Sequence, residues 1–133
     1  MHLLPHLELS GPGAPADARR AARDFLAESD ADAAPAFTPV ALDTALLVIS
    51  ELVTNAVRHT SGSCVLELRR ARDGGLDVDV TDTSTAEPRP RPPGHEGEGG
   101  WGWHLVNQLA SQVDVRPLDE QRGKTIHVHL PRD

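Results

Sequence analysis

At 133 residues, 38% hydrophobic and 25% charged, the chain has the length and balance of one globular domain rather than a disordered segment. A net charge of −7 excludes a surface built to hold nucleic-acid phosphates. With one cysteine, Cys64, no secretory pattern at Met1–Pro5 and no continuous apolar run of the ~20 residues that cross a bilayer, the expectation is a cytoplasmic protein without a membrane span.

Residues 1–10 read as a strand with Leu3, Leu7 and Leu9 apolar, broken by Gly11-Pro12-Gly13. Ala16–Leu26 reads as a helix with Ala18, Ala22, Phe25 and Leu26 near one face. Arg19, Arg20 and Arg23 fall at helical spacing and read as its solvated side, while Glu28–Pro35 reads as a loop.

The strongest helical pattern follows. Thr38 can cap it and Pro39 suits the first helical position, where a missing N–H costs nothing. Leu42, Ala45, Leu46, Ile49, Leu52, Val53 and Ala56 then recur at i, i+3, i+4 spacing. Glu51 and Asn55, four apart, share a different face, with Arg58 and His59 one turn beyond. Taken alone, such a polar face is solvated surface.

Ser63–Arg70 reads as a strand with Cys64, Leu66 and Leu68 on one side, and Cys64 as a small buried hydrophobe. Asp73-Gly74-Gly75 signals a hairpin into Leu76–Asp82. Alternation turns Leu76, Val78, Val80 and Asp82 inward and leaves Asp77 and Asp79 facing water. An inward carboxylate at a strand end must find donors, from the protein or from a ligand.

Thr83–Gly100 is rich in Pro and Gly and cannot be regular structure; a loop of that length in a small domain reads as an active-site lid. It ends in Gly97-Glu98-Gly99-Gly100-Trp101-Gly102, before a helical run carrying Trp103, Val106, Leu109, Ala110 and Val113. Glycines opening a helix let backbone N–H groups approach an anion, a weak signal of nucleotide binding without a Walker pattern. Val113–Arg116 and Thr125–Leu130 read as a closing strand pair, with Ile126, Val128 and Leu130 inward and His127 and His129 outward rather than metal-binding.

The order of these motifs carries a resemblance. Glu51-Leu-Val-Thr-Asn55-Ala-Val-Arg58-His59 resembles the N box of the histidine kinase-like (GHKL) ATPases. Asp82 resembles the aspartate of their G1 box, Gly99-Gly100-Trp101-Gly102 their G2 box, and Gly123-Lys124-Thr125 the segment before their last strand. The resemblance runs from about Pro39 to Leu130 and is nearest the actinobacterial anti-sigma serine-kinase branch, similar to RsbW and SpoIIAB.

That resemblance implies an α/β fold: a two-layer α/β sandwich of the Bergerat type, with a mixed, mostly antiparallel sheet and helices on one face. It implies one ATP-binding domain over 1–133, residues 83–100 being the ATP lid, and ATP and Mg²⁺ as cofactors. It assigns Glu51 as the catalytic base and Asn55 as the magnesium ligand. It assigns Arg58, His59, Asp82, Gly99, Gly100, Gly102, Lys124 and Thr125 to ATP binding, Asp82 accepting the adenine amino hydrogen. Two departures stand out. The G1 segment continues Thr83-Ser84-Thr85-Ala86 without glycine, and Trp101 stands among the G2 glycines.

The function implied is an anti-sigma factor with protein serine/threonine kinase activity toward an anti-sigma-factor antagonist. Its partners would be that antagonist or a sigma factor, with no direct contact to nucleic acid, and its relatives imply a homodimer. The alternatives are a nucleotide-dependent partner-binding module without significant kinase activity, and a scaffold that has lost nucleotide.

Overall fold

Alternating apolar residues and one wide helical stripe give the chain two kinds of surface to bury against each other. The computed structural model describes residues 6–31, 36–58, 62–83, 99–118 and 123–133. In chain order they form β1 (His6–Ser10), α1 (Ala14–Ala31), α2 (Pro39–Arg58), β2 (Ser63–Arg70) and β3 (Leu76–Asp82). Then come α3 (Gly99–Leu109), β4 (Gln112–Pro117) and β5 (Lys124–Leu130).

The sheet order is β1-β2-β3-β5-β4, and each pairing is antiparallel. The expectation of a mostly antiparallel sheet is met, and no parallel pairing occurs among the described residues. One face carries Leu9, Cys64, Leu66, Leu68, Leu76, Val78, Val80, Ile126, Val128 and Leu130 into the core. The helices cover that face, α2 packing on β2, β3 and β5 and flanked by α1 and α3.

Local chemistry sets the elements' limits. At the start of α2 the Ala41 N–H donates to Thr38 Oγ1 at 3.2 Å, as a side-chain cap should. Ala45, Val48, Ile49, Leu52 and Val53 are then wholly buried. By length and composition this 20-residue helix is apolar enough to cross a bilayer. Its apolar stripe instead forms the centre of the core, which accounts for the composition without a membrane. At the β2–β3 hairpin Gly74 sits at φ 88°, where a side chain would be strained, and Gly75 N–H donates to Asp73 Oδ1 at 2.8 Å.

Several boundaries differ from the sequence reading: α1 starts at Ala14, β4 runs from Gln112 to Pro117 and β5 starts at Lys124. The first helix continues beyond Leu26 to Ala31, because no glycine or proline interrupts it and Ser29 Oγ donates back to the Phe25 carbonyl at 2.8 Å. The strand at the N-terminus is described as His6–Ser10, and the part of its reading that includes Leu3 lies outside the described residues. Gly99 and Gly100, read as the end of the lid, already belong to the first turn of α3, and most of that lid, residues 84–98, lies outside the described residues.

Candidate functional site

Antiparallel pairing brings distant residues to one end of the sheet. β2 begins, β3 ends and β5 begins there, as the cross-strand partners Val65↔Thr81 and Asp82↔Lys124 record. α2 finishes at that same end, since only four residues separate Arg58 from Ser63. α3 starts there, because it must run to the opposite end, where Gln112 of β4 pairs with His129. The C-terminal half of α2, with the half-buried Glu51 and Asn55 and the exposed Arg58, therefore ends at the same end of the sheet as Asp82, Lys124 and the glycines opening α3.

Within α2 the local logic is simple. The buried stripe Ala45–Ile49–Leu52–Val53–Ala56 holds the helix on the sheet and leaves the Glu51–Asn55 side half-exposed. Arg19 of α1 donates through Nη1 to Ser50 Oγ at 2.8 Å, which pins the neighbouring turn. Glu51 itself is engaged within the protein. A carboxylate and an amide oxygen one turn apart are hard donors of the kind Mg²⁺ prefers, and the N–H groups opening α3 suit an anion. The residues present thus fit the phosphate end of a magnesium nucleotide.

The base end is different. Asp82 is 5% exposed and Lys124 7% exposed, and Lys124 Nζ donates to Asp82 Oδ1 at 3.0 Å and Oδ2 at 3.1 Å. The inward carboxylate thus has a protein donor on each oxygen. Gly123, at φ 145°, makes this possible: a Cβ there would collide with the Asp82 carbonyl oxygen and stand 2.9 Å from Thr83 Cα. Cys64 lies on the same inward face, and burial, then the Asp82 charge, push its thiol up to about 11. At neutral pH it is a protonated, unreactive thiol, as its reading as a small buried hydrophobe requires.

Not every expected site residue joins this cluster. Lys124 and Thr125 are neighbours on β5 and so point to opposite faces of the sheet. Lys124 turns inward to Asp82, whereas the Thr125 hydroxyl shares a 2.7 Å hydrogen bond with that of Thr81 on the other face. The two side chains do not line one pocket. Gly99, Gly100 and Gly102 occupy the start of α3. His59 lies outside the described residues.

The open face of the sheet carries a network that the sequence reading left as plain surface. His127 Nδ1 is 2.6 Å from Asp79 Oδ1, and His129 bridges Asp77 Oδ1 at 2.8 Å and Asp73 Oδ2 at 2.9 Å. Burial pulls the His129 pKa down, but hydrogen bonds and charge from Asp77 and Asp73 outweigh it and hold the pKa above its ordinary value. The Gly75 N–H, and then His129, hold the Asp73 carboxyl below the usual range. These outward histidines are structural partners of aspartates, and no metal-binding group occurs among the described residues. Alternation predicts the face; the pairing register alone identifies the partners.

Sequence reasoning also missed the Asp82–Lys124 pair, although a signal was present. Lys124 has the same parity as the inward Ile126, Val128 and Leu130, so extending β5 by one residue turns its ammonium toward the core.

Comparison with known proteins bears on the whole assembly. Residues 12–129 match the family model of the histidine kinase-like ATPase domain. A crystal structure of the RsbU and RsbW domains of Rv1364c from Mycobacterium tuberculosis is similar in fold, with a TM-score of 0.64 at 21% sequence identity. The similarity covers 96% of this chain and 32% of that one. No curated protein matches the chain.

Proposed function

The chain belongs to the histidine kinase-like ATPase domain family, and from that membership we propose that it binds Mg-ATP at the α2–α3 end of its sheet as an anti-sigma factor. In this reading it is a protein serine/threonine kinase acting on an anti-sigma-factor antagonist, and it also captures a sigma factor. The observation that supports the reading is that the C-terminal half of α2, carrying Glu51 and Asn55, and the glycine-led start of α3 lie at the same end of the sheet.

Each residue then has a task its chemistry can perform. Asn55 offers its amide oxygen to Mg²⁺. Glu51 accepts the proton of a substrate hydroxyl as that oxygen attacks the γ-phosphorus and the bond to ADP breaks. Backbone N–H groups at Gly99, Gly100 and Gly102 receive phosphate oxygens, and Arg58 adds positive charge. Asp82 receives the amino group of the base, with Lys124 beside it, whereas Thr125 is turned to the other face of the sheet. Phosphoryl transfer asks mainly for positioning and charge neutralisation, so this sparse set is adequate. The reading also includes a cytoplasmic homodimer.

The second reading is a nucleotide-dependent binding module without significant transfer, which needs the nucleotide site but not Glu51 as a base. Isothermal titration with AMP-PNP, with and without Mg²⁺, tests what both readings share. Metal-dependent heat supports them; no heat at millimolar nucleotide rejects both. Radiolabel transfer to an antagonist protein then separates kinase from binder.

A further inference from the structure

The Asp82–Lys124 pair has a geometry that matters for any ligand reaching this end of the sheet. One ammonium donates to both carboxylate oxygens, at 3.0 and 3.1 Å, and both side chains are withdrawn from water. Gly123 is the residue that lets β5 close against Asp82, so the pairing is built into the backbone rather than made by a swinging surface side chain. Separating such a pair costs each buried charge a charge-assisted hydrogen bond, which is unfavourable unless the incoming group supplies a donor of its own.

We propose that Lys124 is a resident competitor for the Asp82 carboxylate, so that nucleotide enters by exchange. The amino group of the base takes a carboxylate oxygen as the Lys124 ammonium gives it up. This rests on the nucleotide-binding reading above and adds a control on it. The exchange holds the base end closed in the free protein, and it favours a base carrying an exocyclic amino donor over one presenting a carbonyl oxygen to Asp82. The cost of the exchange weakens affinity and makes Lys124 the residue that sets it.

The sequence supplies a clean probe, because Lys124 is the only lysine of the chain. Protein labelled with ¹⁵N at lysine Nζ gives one side-chain ammonium signal, visible where burial and hydrogen bonding slow its exchange with water. Wild-type protein is titrated with AMP-PNP and Mg²⁺, and separately with inorganic triphosphate, which lacks a base. The signal is expected to shift or broaden in proportion to calorimetric occupancy by AMP-PNP and to stay in place with triphosphate.

Lys124→Met is expected to bind AMP-PNP about tenfold tighter than wild type, the equivalent of one charge-assisted hydrogen bond no longer given up. A signal unmoved at saturation, or a folded Lys124→Met with equal or weaker affinity, overturns the exchange and leaves nucleotide binding standing. If the variant does not fold, the wild-type signal decides alone. Absence of AMP-PNP binding by wild type and folded variant alike overturns the nucleotide reading itself.

Discussion

Gly123 lies so close against the backbone of Asp82 that any side chain there would collide with the Asp82 carbonyl oxygen. The residue also sits at φ 145°, a region that L-residues with a side chain avoid. Gly123→Ala therefore combines a steric clash with backbone strain and is expected to cost about 2–4 kcal/mol. Urea denaturation measures it; a loss under about 0.5 kcal/mol would mean that β5 need not approach β3 this closely.

The buried ion pair predicts a double-mutant cycle of a particular shape. Asp82→Leu alone removes the carboxylate to which the buried Lys124 ammonium donates and is expected to destabilise by about 3–5 kcal/mol. Asp82→Leu combined with Lys124→Met replaces both charges by apolar groups of similar size and is expected to regain most of that loss. Additive losses in equilibrium unfolding would contradict the assignment of each residue as the other's main partner.

On the open face, His129 and Asp73 predict opposite limbs of a pH profile. The raised folded pKa of His129 gives stability that is complete below its unfolded value, about 6.5, and lost as pH rises through the higher folded value. The lowered pKa of Asp73 gives stability present above its unfolded value and lost as pH falls through the lower folded one. Stability from this pair should therefore decline as pH rises above about 6.5, and His129→Gln should flatten that decline. Chemical denaturation across the range checks it; an unchanged slope in His129→Gln would assign the decline to other groups.

Glu51→Gln tests the proposed chemistry without disturbing shape. Transfer to an antagonist should fall by about 10²–10⁴-fold, the contribution of a general base, while AMP-PNP binding remains. The melting temperature provides the control, since Glu51 is half-exposed and its replacement is isosteric. Equal transfer rates in the two proteins would remove Glu51 from the proton path.

Much of this architecture is local physics written along the chain. Thr38 and Pro39 start α2 where a cap and a missing N–H belong, and the apolar stripe through Ala56 tells which side is buried. Strict alternation delimits β2 and β3, and Asp73-Gly74-Gly75 turns one into the other. The order of Glu51, Asn55, Asp82 and the α3 glycines was likewise readable, because short motifs carry their spacing with them. Local pattern was less reliable at element ends: α1 runs five residues beyond Leu26 through a polar stretch with no apolar periodicity to mark it.

Tertiary structure decided whatever depends on register between strands far apart in sequence. Asp82 and Lys124 are 42 positions apart, and the β3–β5 pairing alone makes them opposite neighbours. The same register gives His127 to Asp79, His129 to Asp77 and Thr125 to Thr81. The sequence by itself determined which residues face inward, because side-chain alternation is a property of each strand. What an inward carboxylate touches is a property of the assembled sheet, since a slip of one residue in pairing would exchange every partner.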